Sequence, residues 1–313
     1  MRDLTGLRGR HFLTLQDFSA DELWEMLRLS RDLKDKLRRG VPHELLPGKI
    51  LALMFQKPST RTRVSFEVAM RHLGGSSLYL EWGQLQLGRG EPVSDTAKVL
   101  SRYVDGVAAR VYGHEILEEM ARHATIPVIN ALSDFLHPCQ GLADLFTVWE
   151  RWGRLEGLKV AYVGDGNNVC HSLMIGCSKL GVDISVASPE GYKPDKRVVD
   201  WARENAKESG SKVEILTDPV EAVKDANVIY TDVFVSMGME REREERLRVF
   251  LPKYQVTLDL FRYAAEDAVF MHCLPAHRGE EVAPEVIDGE RSIVFDQAEN
   301  RLHTEKALLA LLL

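Results

Sequence analysis

The sequence lacks the features that mark membrane, secreted and nucleic-acid-binding proteins. None of its apolar runs approaches the ~20 residues that a helix needs to cross a bilayer, and residues 1–6 contain neither a hydrophobic leader nor a cleavage pattern. The 40 basic and 47 acidic residues give a net charge of −7, and the basic residues form no block. We therefore expect a cytoplasmic protein that has neither a membrane nor a nucleic acid as its partner.

Cysteine is scarce as well. The four cysteines, Cys139, Cys170, Cys177 and Cys273, show no zinc-like spacing with histidine, and they are too few for a disulfide scaffold in 313 residues. We expect a reduced protein that needs no structural metal and no cofactor.

The glycine motifs of nucleotide-binding proteins are absent or incomplete. No Walker pattern occurs. Residues 164–168 (GDGNN) follow an apolar strand pattern, but Val169 stands where a dinucleotide fingerprint has its third glycine. The next strand pattern also ends without the acidic residue that binds the ribose in dinucleotide sites. An NAD-dependent oxidoreductase is therefore a distant alternative, which a pyridine-nucleotide binding test would distinguish.

The sequence does contain a regular alternation of strand and helix patterns. Hydrophobic residues make up 45% of the chain and charged residues 28%, as in ordinary globular proteins, and 313 residues suffice for two domains. The alternation predicts an α/β fold with two doubly wound parallel sheets. We place the first domain at residues 1–150 and the second at 151–313. The second includes an apolar C-terminal helix, which packs on its own domain or crosses back to the first.

Residues 57–63 (KPSTRTR) are the most informative stretch of the chain. They follow an uninterrupted apolar run at 50–55, which predicts a buried strand, and they precede a helical pattern. Ser59 or Thr60 is placed to cap that helix. The unpaired N–H groups and positive dipole end of a helix attract anions. Because three hydroxyls and two arginines stand at the same junction, a phosphate site is favoured over an ordinary cap with solvated arginines.

Five other residues stand where a side chain could face a ligand. Arg110 lies inside an apolar strand pattern, where a buried guanidinium requires an anion. His137 precedes a helical proline at a strand exit, although a capping or core histidine fits the same pattern. Asp232 ends an apolar strand and requires a cation once it is desolvated. Cys273 could equally be a small buried apolar residue, and Arg301 on the final helix could equally be a surface ion-pair residue.

These motifs, in this order, resemble the aspartate and ornithine carbamoyltransferase family over nearly the whole chain. The similar motifs are STRTR at 59–63, HPxQ at 137–140, DxxxSMG at 232–238 and HCLP at 272–275. The resemblance implies that Gln86, in a glycine-rich loop, completes the phosphate pocket of its own or a neighbouring subunit. It implies a carbamoyl phosphate site made of Ser59, Thr60, Arg61, Thr62, Gln86, Arg110, His137, Pro138, Cys139, Gln140, Cys273, Leu274 and Arg301.

The resemblance also bears on the acceptor substrate. It implies that Asn168 binds the α-carboxylate of an amino acid, that Asp232 and Ser236 bind its α-ammonium group, and that Met237 lies beside them. The aspartate enzymes of the family carry a PLPR-like motif where this sequence has HCLP. Independently of the family, a pocket of Asp232, Ser236, Asn168 and Cys273 is neutral to acidic and would repel a second carboxylate. We therefore predict L-ornithine, a basic amino acid, as the acceptor.

The implied reaction converts carbamoyl phosphate and L-ornithine to L-citrulline and phosphate, in arginine biosynthesis or breakdown. The implied catalytic residues are Arg61, Thr62, Arg110, His137, Gln140 and Cys273, which act by positioning and charge stabilisation without a covalent intermediate. Family members close their two domains on the second substrate and form trimers or multiples of trimers, and we expect both. Carbamoyltransferases for putrescine or acylated ornithine, and a non-catalytic protein on the same fold, are the alternatives, which amine-specificity and citrulline assays distinguish.

Overall fold

The chain divides into two compact units. The computed structural model describes residues 6–236 and 238–313. The first unit comprises Met1–Phe146 and Glu299–Leu313, and the second comprises Thr147–Ala298. Within the described residues no helix has the length and apolar character that crossing a membrane requires.

The first unit is built on a four-stranded parallel sheet in the order β2-β1-β3-β4. Its strands are β1 (Ile50–Phe55), β2 (Ser76–Glu81), β3 (Gly106–Arg110) and β4 (Val128–Leu132). Its helices are α1 (Ala20–Arg38), α2 (Thr60–His72), α3 (Val93–Leu100), α4 (His114–His123) and the start of α5 (Pro138–Trp152). The central strands β1 and β3 are almost wholly buried, which explains their uninterrupted apolar sequences. The edge strand β2 is partly exposed along its length.

The direction of winding reverses between β1 and β3. The strand that follows β1 in sequence pairs on one side of it, and the next strand pairs on the other. In a doubly wound sheet, ligands bind at the carboxyl ends of the strands beside such a reversal. Residues 56–60, after β1, and Arg110, at the end of β3, lie at this edge, and the Gln56 N–H donates to the Arg110 carbonyl at 2.8 Å. The predicted anion-binding stretch is therefore at the expected position in the sheet.

The second unit repeats the same plan with five parallel strands in the order β7-β6-β5-β8-β9. The strands are β5 (Lys159–Val163), β6 (Asp183–Ala187), β7 (Val213–Leu216), β8 (Val228–Tyr230) and β9 (Val269–Met271). The helices are α6 (Asn168–Lys179), α7 (Lys196–Ser209), α8 (Pro219–Val223), α9 (Arg243–Phe250) and α10 (Pro284–Ile287). The reversal here lies between β5 and β8. Two doubly wound parallel sheets confirm the predicted fold class.

The last helix, α11 (Val294–Leu312), begins in the second unit and ends in the first. In the first unit it packs beside α1: Lys34 Nζ donates to Asn300 Oδ1 at 2.7 Å, and Lys306 Nζ donates to the Leu33 carbonyl at 3.1 Å. Both ammonium groups belong to buried side chains, so these bonds offset a desolvation cost. The observed division falls at 146/147, near the predicted 150/151, and residues 299–313 group with the first unit, which is one of the two alternatives left open for the last helix.

Candidate functional site

Helix α2 presents its first turn at the reversal point of the first sheet. Ser59 is the N-cap: its backbone is extended, and its Oγ accepts from the Thr62 N–H at 3.3 Å. The sequence left Ser59 and Thr60 as alternatives, and the structure selects Ser59, while Thr60 begins the helix and is exposed. The first turn of α2 contains no acidic residue, so the positive end of its dipole is not neutralised locally.

The two arginines of the stretch have different environments. Arg63 Nε donates to Glu67 Oε1 at 2.8 Å, and the guanidinium lies 3.8 Å from the centre of the Tyr79 ring. This exposed residue therefore has a carboxylate partner on its own helix. Arg61 is close enough to His137 to affect its titration. Of the two arginines that the sequence placed at this junction, Arg61 acts on His137, whereas Arg63 pairs with Glu67.

His137 lies near enough to three guanidinium groups to be affected by their charges. It precedes α5 at the exit of β4 and is 5% exposed. Burial lowers the pKa of its imidazole well below the usual 6.5, and repulsion from Arg301, Arg110 and Arg61 lowers this pKa further. The imidazole is thus neutral near pH 7, and the three guanidinium groups carry the charge of the cluster. Like charges gathered at a partly desolvated place create a strong attraction for an anion.

Arg301 reaches this cluster from α11. Its Nη1 donates to Gln140 Oε1 at 2.9 Å, and its Nη2 contacts Thr62 Oγ1 at 3.4 Å. Gln140 Nε2 donates in turn to Asp144 Oδ1 at 2.8 Å, which orients the amide with its oxygen towards the guanidinium. Thr62, Gln140 and Arg301 are therefore brought together, although 239 residues separate the first from the last.

The structure also places three other residues that were predicted for the carbamoyl phosphate site. Gln86 is exposed in a 3-10 turn, and among the described residues its side chain makes no bond to this cluster. Pro138 is the first residue of α5. Cys139 is buried, and its Sγ donates to the Asn130 carbonyl at 3.4 Å. Burial raises the pKa of this thiol far above its usual range, so Cys139 is an unreactive packing residue whose sulfur faces the strand.

The second unit has an acidic cluster at the carboxyl ends of its central strands. Asp232 follows β8 and is 6% exposed. Asn167 Nδ2 donates to Asp232 Oδ2 at 2.7 Å, and Cys273 Sγ, after β9, donates to Asp232 Oδ1 at 3.1 Å. Each carboxylate oxygen thus has a neutral donor, and these bonds leave the negative charge uncompensated. A site of this kind suits a cationic ligand.

Asn167 was missed by the sequence analysis, which assigned its neighbour. Asn167 is the N-cap of α6: its Oδ1 accepts from the Val169 and Cys170 N–H groups at 3.0 and 3.1 Å, which turns its NH₂ group towards Asp232. Asn168 is the first helical residue and is partly exposed. The capping preference of asparagine immediately before a helix was the signal that could have identified Asn167. The assignment of Asn168 stays a prediction.

The segment that carries Ser236 is tied down by a buried arginine. Arg246 on α9 donates from Nε to the Phe234 carbonyl at 2.6 Å, and its Nη2 pairs with Asp165 Oδ2. The pKa of Asp165 is raised to about 6, because the effects of burial and of nearby Asp232 outweigh the opposite effect of Arg246. Arg246 is a second residue that the sequence analysis missed, since it lies in a densely charged run. Ser236 is partly exposed, and Met237 lies outside the described residues.

A possible metal-ligand set lies in the same unit. Ligand atoms of Asp232, His272 and Cys273 lie within 4.8 Å of one another. However, His272 Nδ1 accepts from the Leu274 N–H at 2.8 Å, and His272 Nε2 lies 3.2 Å from Glu281 Oε1. Both ring nitrogens are engaged, so this histidine supports the backbone of Leu274, which adopts the left-handed conformation with φ 59°. The set fits a hydrogen-bonded scaffold better than a metal site.

Comparisons with known proteins cover both units. A model of the aspartate/ornithine carbamoyltransferase carbamoyl-P binding domain matches residues 10–150, and a model of the Asp/Orn binding domain matches residues 156–312. The ornithine carbamoyltransferase of Pyrococcus horikoshii is 61% identical over 310 residues, which cover 99% of this chain and 98% of that protein. The protein named "ornithine carbamoyltransferase, anabolic" of Pyrococcus furiosus is 60% identical over 310 residues, with the same coverage of 99% and 98%.

Solved structures of such proteins have the same fold. The ornithine carbamoyltransferase structure from Pyrococcus furiosus superposes with a TM-score of 0.95 at 61% identity, covering 98% of this chain and 97% of that chain. A mitochondrial ornithine carbamoyltransferase from Coccidioides immitis gives a TM-score of 0.89 at 38% identity, covering 96% of each chain. The similarity therefore extends over both sheets and confirms the family resemblance that the motifs indicated.

The environment of His137 leads to a pH prediction. We expect this imidazole to stay neutral between about pH 6 and 8, because its folded pKa lies below the ~6.5 of an unfolded chain. The neutral imidazole therefore does not reduce the free energy of unfolding above about pH 6.5. Below that value the free energy of unfolding falls, because the unfolded chain takes up a proton that the folded chain does not. NMR of ring-labelled histidines, with His137→Asn to assign the signal, would show no titration in this range. A midpoint near 6.5 would contradict the assignment.

Proposed function

The chain belongs to the aspartate/ornithine carbamoyltransferase family, and from this we propose that it transfers the carbamoyl group of carbamoyl phosphate to L-ornithine, giving L-citrulline and phosphate. The observation that carries the proposal is the pair of oppositely charged clusters, one at the reversal point of each sheet. One gathers three guanidinium groups about His137, and the other centres on Asp232. They suit an anionic donor and a cationic acceptor respectively.

The first unit provides the carbamoyl phosphate site. We assign residues 1–150 to it, together with residues 299–313 because Arg301 bonds within its cluster. Ser59, Thr60, Arg61 and Thr62 hold the phosphate at the start of α2, where N–H groups and the helix dipole also favour it as it leaves. The Gln86 loop completes this pocket.

The carbonyl group is polarised by neighbouring residues of the same cluster. Thr62, Arg110 and neutral His137 donate hydrogen bonds to the carbonyl oxygen, where negative charge develops as the amine attacks. Gln140 accepts from the carbamoyl NH₂ group through the amide oxygen that now faces Arg301. These groups are positioned before the reaction, so orientation and electrostatics supply the rate without a covalent intermediate.

The second domain, which we assign to residues 151–298, provides the ornithine site. Asp232 and Ser236 bind the α-ammonium group, Asn168 binds the α-carboxylate, and Met237 lies beside them. The Asn167 amide keeps the Asp232 carboxylate oriented. An anionic site of this kind repels the second carboxylate of aspartate, which supports ornithine as the acceptor. The backbone at Leu274, held by His272, belongs to the HCLP segment that the family uses with the carbamoyl group.

The attacking amine must first lose a proton. Its pKa is close to the ~10.4 of lysine, so only the minor neutral form has the lone pair that attacks the carbonyl carbon. The carbon–nitrogen bond forms, the bond from carbon to the phosphate oxygen breaks, and phosphate leaves with the bonding electrons. The attacking nitrogen must also lose a second proton once its bond to carbon has formed, and we rank the departing phosphate first as the acceptor of that proton. The Cys273 thiol is the second candidate, but it donates to the Asp232 carboxylate, which opposes formation of a thiolate.

We further propose a cytoplasmic homotrimer that acts in arginine biosynthesis. Four free cysteines support the reducing compartment, and the relative described as anabolic supports the direction. The partly exposed edge strand β2 supports the assembly, with Leu78 49% exposed and Val64 on α2 51% exposed. Gln86, which does not bond to the cluster of its own chain, would then act in the pocket of a neighbouring subunit.

Citrulline formation is the direct test of the activity. We expect purified protein to form citrulline from carbamoyl phosphate and ornithine, and to act far more slowly on putrescine, N-acetylornithine and aspartate. Arg61→Gly should weaken carbamoyl phosphate binding by about 100-fold, since it removes a charged donor at the helix start. Arg63→Gly is the matched control, because Arg63 pairs with Glu67. Faster carbamoylation of another amine would reject the ornithine assignment.

Acceptor binding can be tested separately. We expect Asp232→Asn to raise the KM for ornithine by about 10- to 100-fold, the value of a charge-assisted bond, and to leave the KM for carbamoyl phosphate within about twofold. Asp259→Asn, which removes an exposed carboxylate of the same unit, serves as the control. An unchanged ornithine KM in the Asp232 variant would exclude its carboxylate from the ammonium site.

The trimer and the origin of Gln86 can be tested together. Light scattering should give three times, or a multiple of three times, the 35.4 kDa of one chain, and Leu78→Asp should dissociate the assembly. The control is Leu258→Asp, because Leu258 is 50% exposed in the second unit. We expect Gln86→Ala, like Arg61→Gly, to lower the activity by itself, and mixing the two variants under exchange conditions should restore part of the activity. Failure to restore it would place Gln86 with its own chain.

A further inference from the structure

Helix α11 carries a buried acidic residue that has no role in the mechanism described above. Glu305 is 1% exposed and lies one turn beyond Arg301 in a largely buried stretch of the helix, where Lys306 and then apolar residues follow it. A carboxylate buried in such a place costs free energy unless a cation is held against it. Burial raises the pKa of Glu305, and the Arg301 charge opposes that rise. The question is therefore what the buried ion pair of Arg301 and Glu305 does in the first unit.

The geometry of the pair is specific. Arg301 donates twice to the same oxygen, Glu305 Oε1, from Nη2 at 2.6 Å and from Nε at 3.1 Å. Two bonds from one edge of the planar guanidinium restrain both its position and the tilt of its plane. The other contacts of Arg301 then follow: Nη1 bonds to Gln140 Oε1, and Nη2 lies against Thr62 Oγ1.

Glu305 bonds to Nε and Nη2 of a guanidinium whose Nη1 bonds to Gln140 and whose Nη2 also contacts Thr62. We propose that Glu305 is a positioning residue for carbamoyl phosphate: by holding Arg301 on Thr62 and Gln140, it determines the affinity for the anion without touching it. This proposal rests on the proposed function only for the identity of the anion. The site for an oxyanion is argued from the three guanidinium groups themselves.

An alternative role would be that of a counter-charge. In that case the negative charge of Glu305 would matter and its exact position would not, and removing the charge would strengthen anion binding, because the cluster would become more positive. The positioning role predicts the opposite order of effects. Charge and position can be separated by two conservative substitutions. Glu305→Gln keeps the length of the side chain and its acceptor oxygen, whereas Glu305→Asp keeps the charge and withdraws the oxygen by one methylene.

Binding of inorganic phosphate, measured by isothermal titration calorimetry, separates the two roles and does not depend on turnover. We expect Glu305→Asp to weaken phosphate binding and to raise the KM for carbamoyl phosphate by about tenfold, the value of one well-oriented charge-assisted bond. Glu305→Gln should stay within about threefold of the unmodified protein. The KM for ornithine should not change in either variant.

The matched control is Glu299→Gln, which removes an acidic group of the same helix that pairs with His303 and Lys34 instead of Arg301. Tighter phosphate binding by Glu305→Gln would overturn the positioning role in favour of a counter-charge. Unchanged affinities in both Glu305 variants would reduce the pair to a structural contact. If unmodified protein binds phosphate but forms no citrulline, the proposed reaction fails, and the assignment of Glu305 is still decided by the phosphate titration.

Discussion

The structure depends above all on positive charge that is held partly out of water. Arg61, Arg110 and Arg301 act on one buried imidazole, and burial together with their repulsion lowers the pKa of His137 and keeps it uncharged. Three guanidinium groups that act on one imidazole repel one another, and a bound anion offsets this cost. The position of the cluster follows from the sheet, because the start of α2 and the end of β3 meet where the winding reverses. The sheet topology and the positive charge therefore both favour the carboxyl edge between β1 and β3 as the site for an anion.

The second unit uses the same architecture for the opposite charge. Asp232 also lies at a carboxyl edge beside a reversal, but its neighbours are the neutral donors Asn167 and Cys273. These donors fix the orientation of the carboxylate and do not neutralise it. A doubly wound sheet thus provides a location, and the residues at the strand ends decide whether that location binds an anion or a cation. This division of roles is why the charge of each cluster is more informative about the substrates than the fold is.

Each site also depends on buried residues that orient the predicted ligand-binding side chains by hydrogen bonds. Asp144 holds the amide of Gln140, and Glu305 holds the guanidinium of Arg301. In the second unit, Arg246 joins the Phe234 carbonyl to Asp165. All of these groups are buried, so each depends on its partner to offset desolvation. Sites that are held in this way are oriented before a ligand arrives, which is what positioning and electrostatic catalysis require.

The sequence patterns alone predicted those features that are local or that repeat along the chain. Apolar runs and helical periodicity identified the strands and helices, and the stretch at 57–63 predicted an anion site at a helix start, because capping and periodicity are encoded by neighbouring residues. The tertiary structure decided which arginine of that stretch faces the cluster, since Glu67 and the Tyr79 ring engage Arg63. It also decided that α11 returns to the first unit and brings Arg301 to Thr62. That contact joins residues 239 positions apart, and local sequence patterns carry no information about which distant side chains meet once the chain is folded.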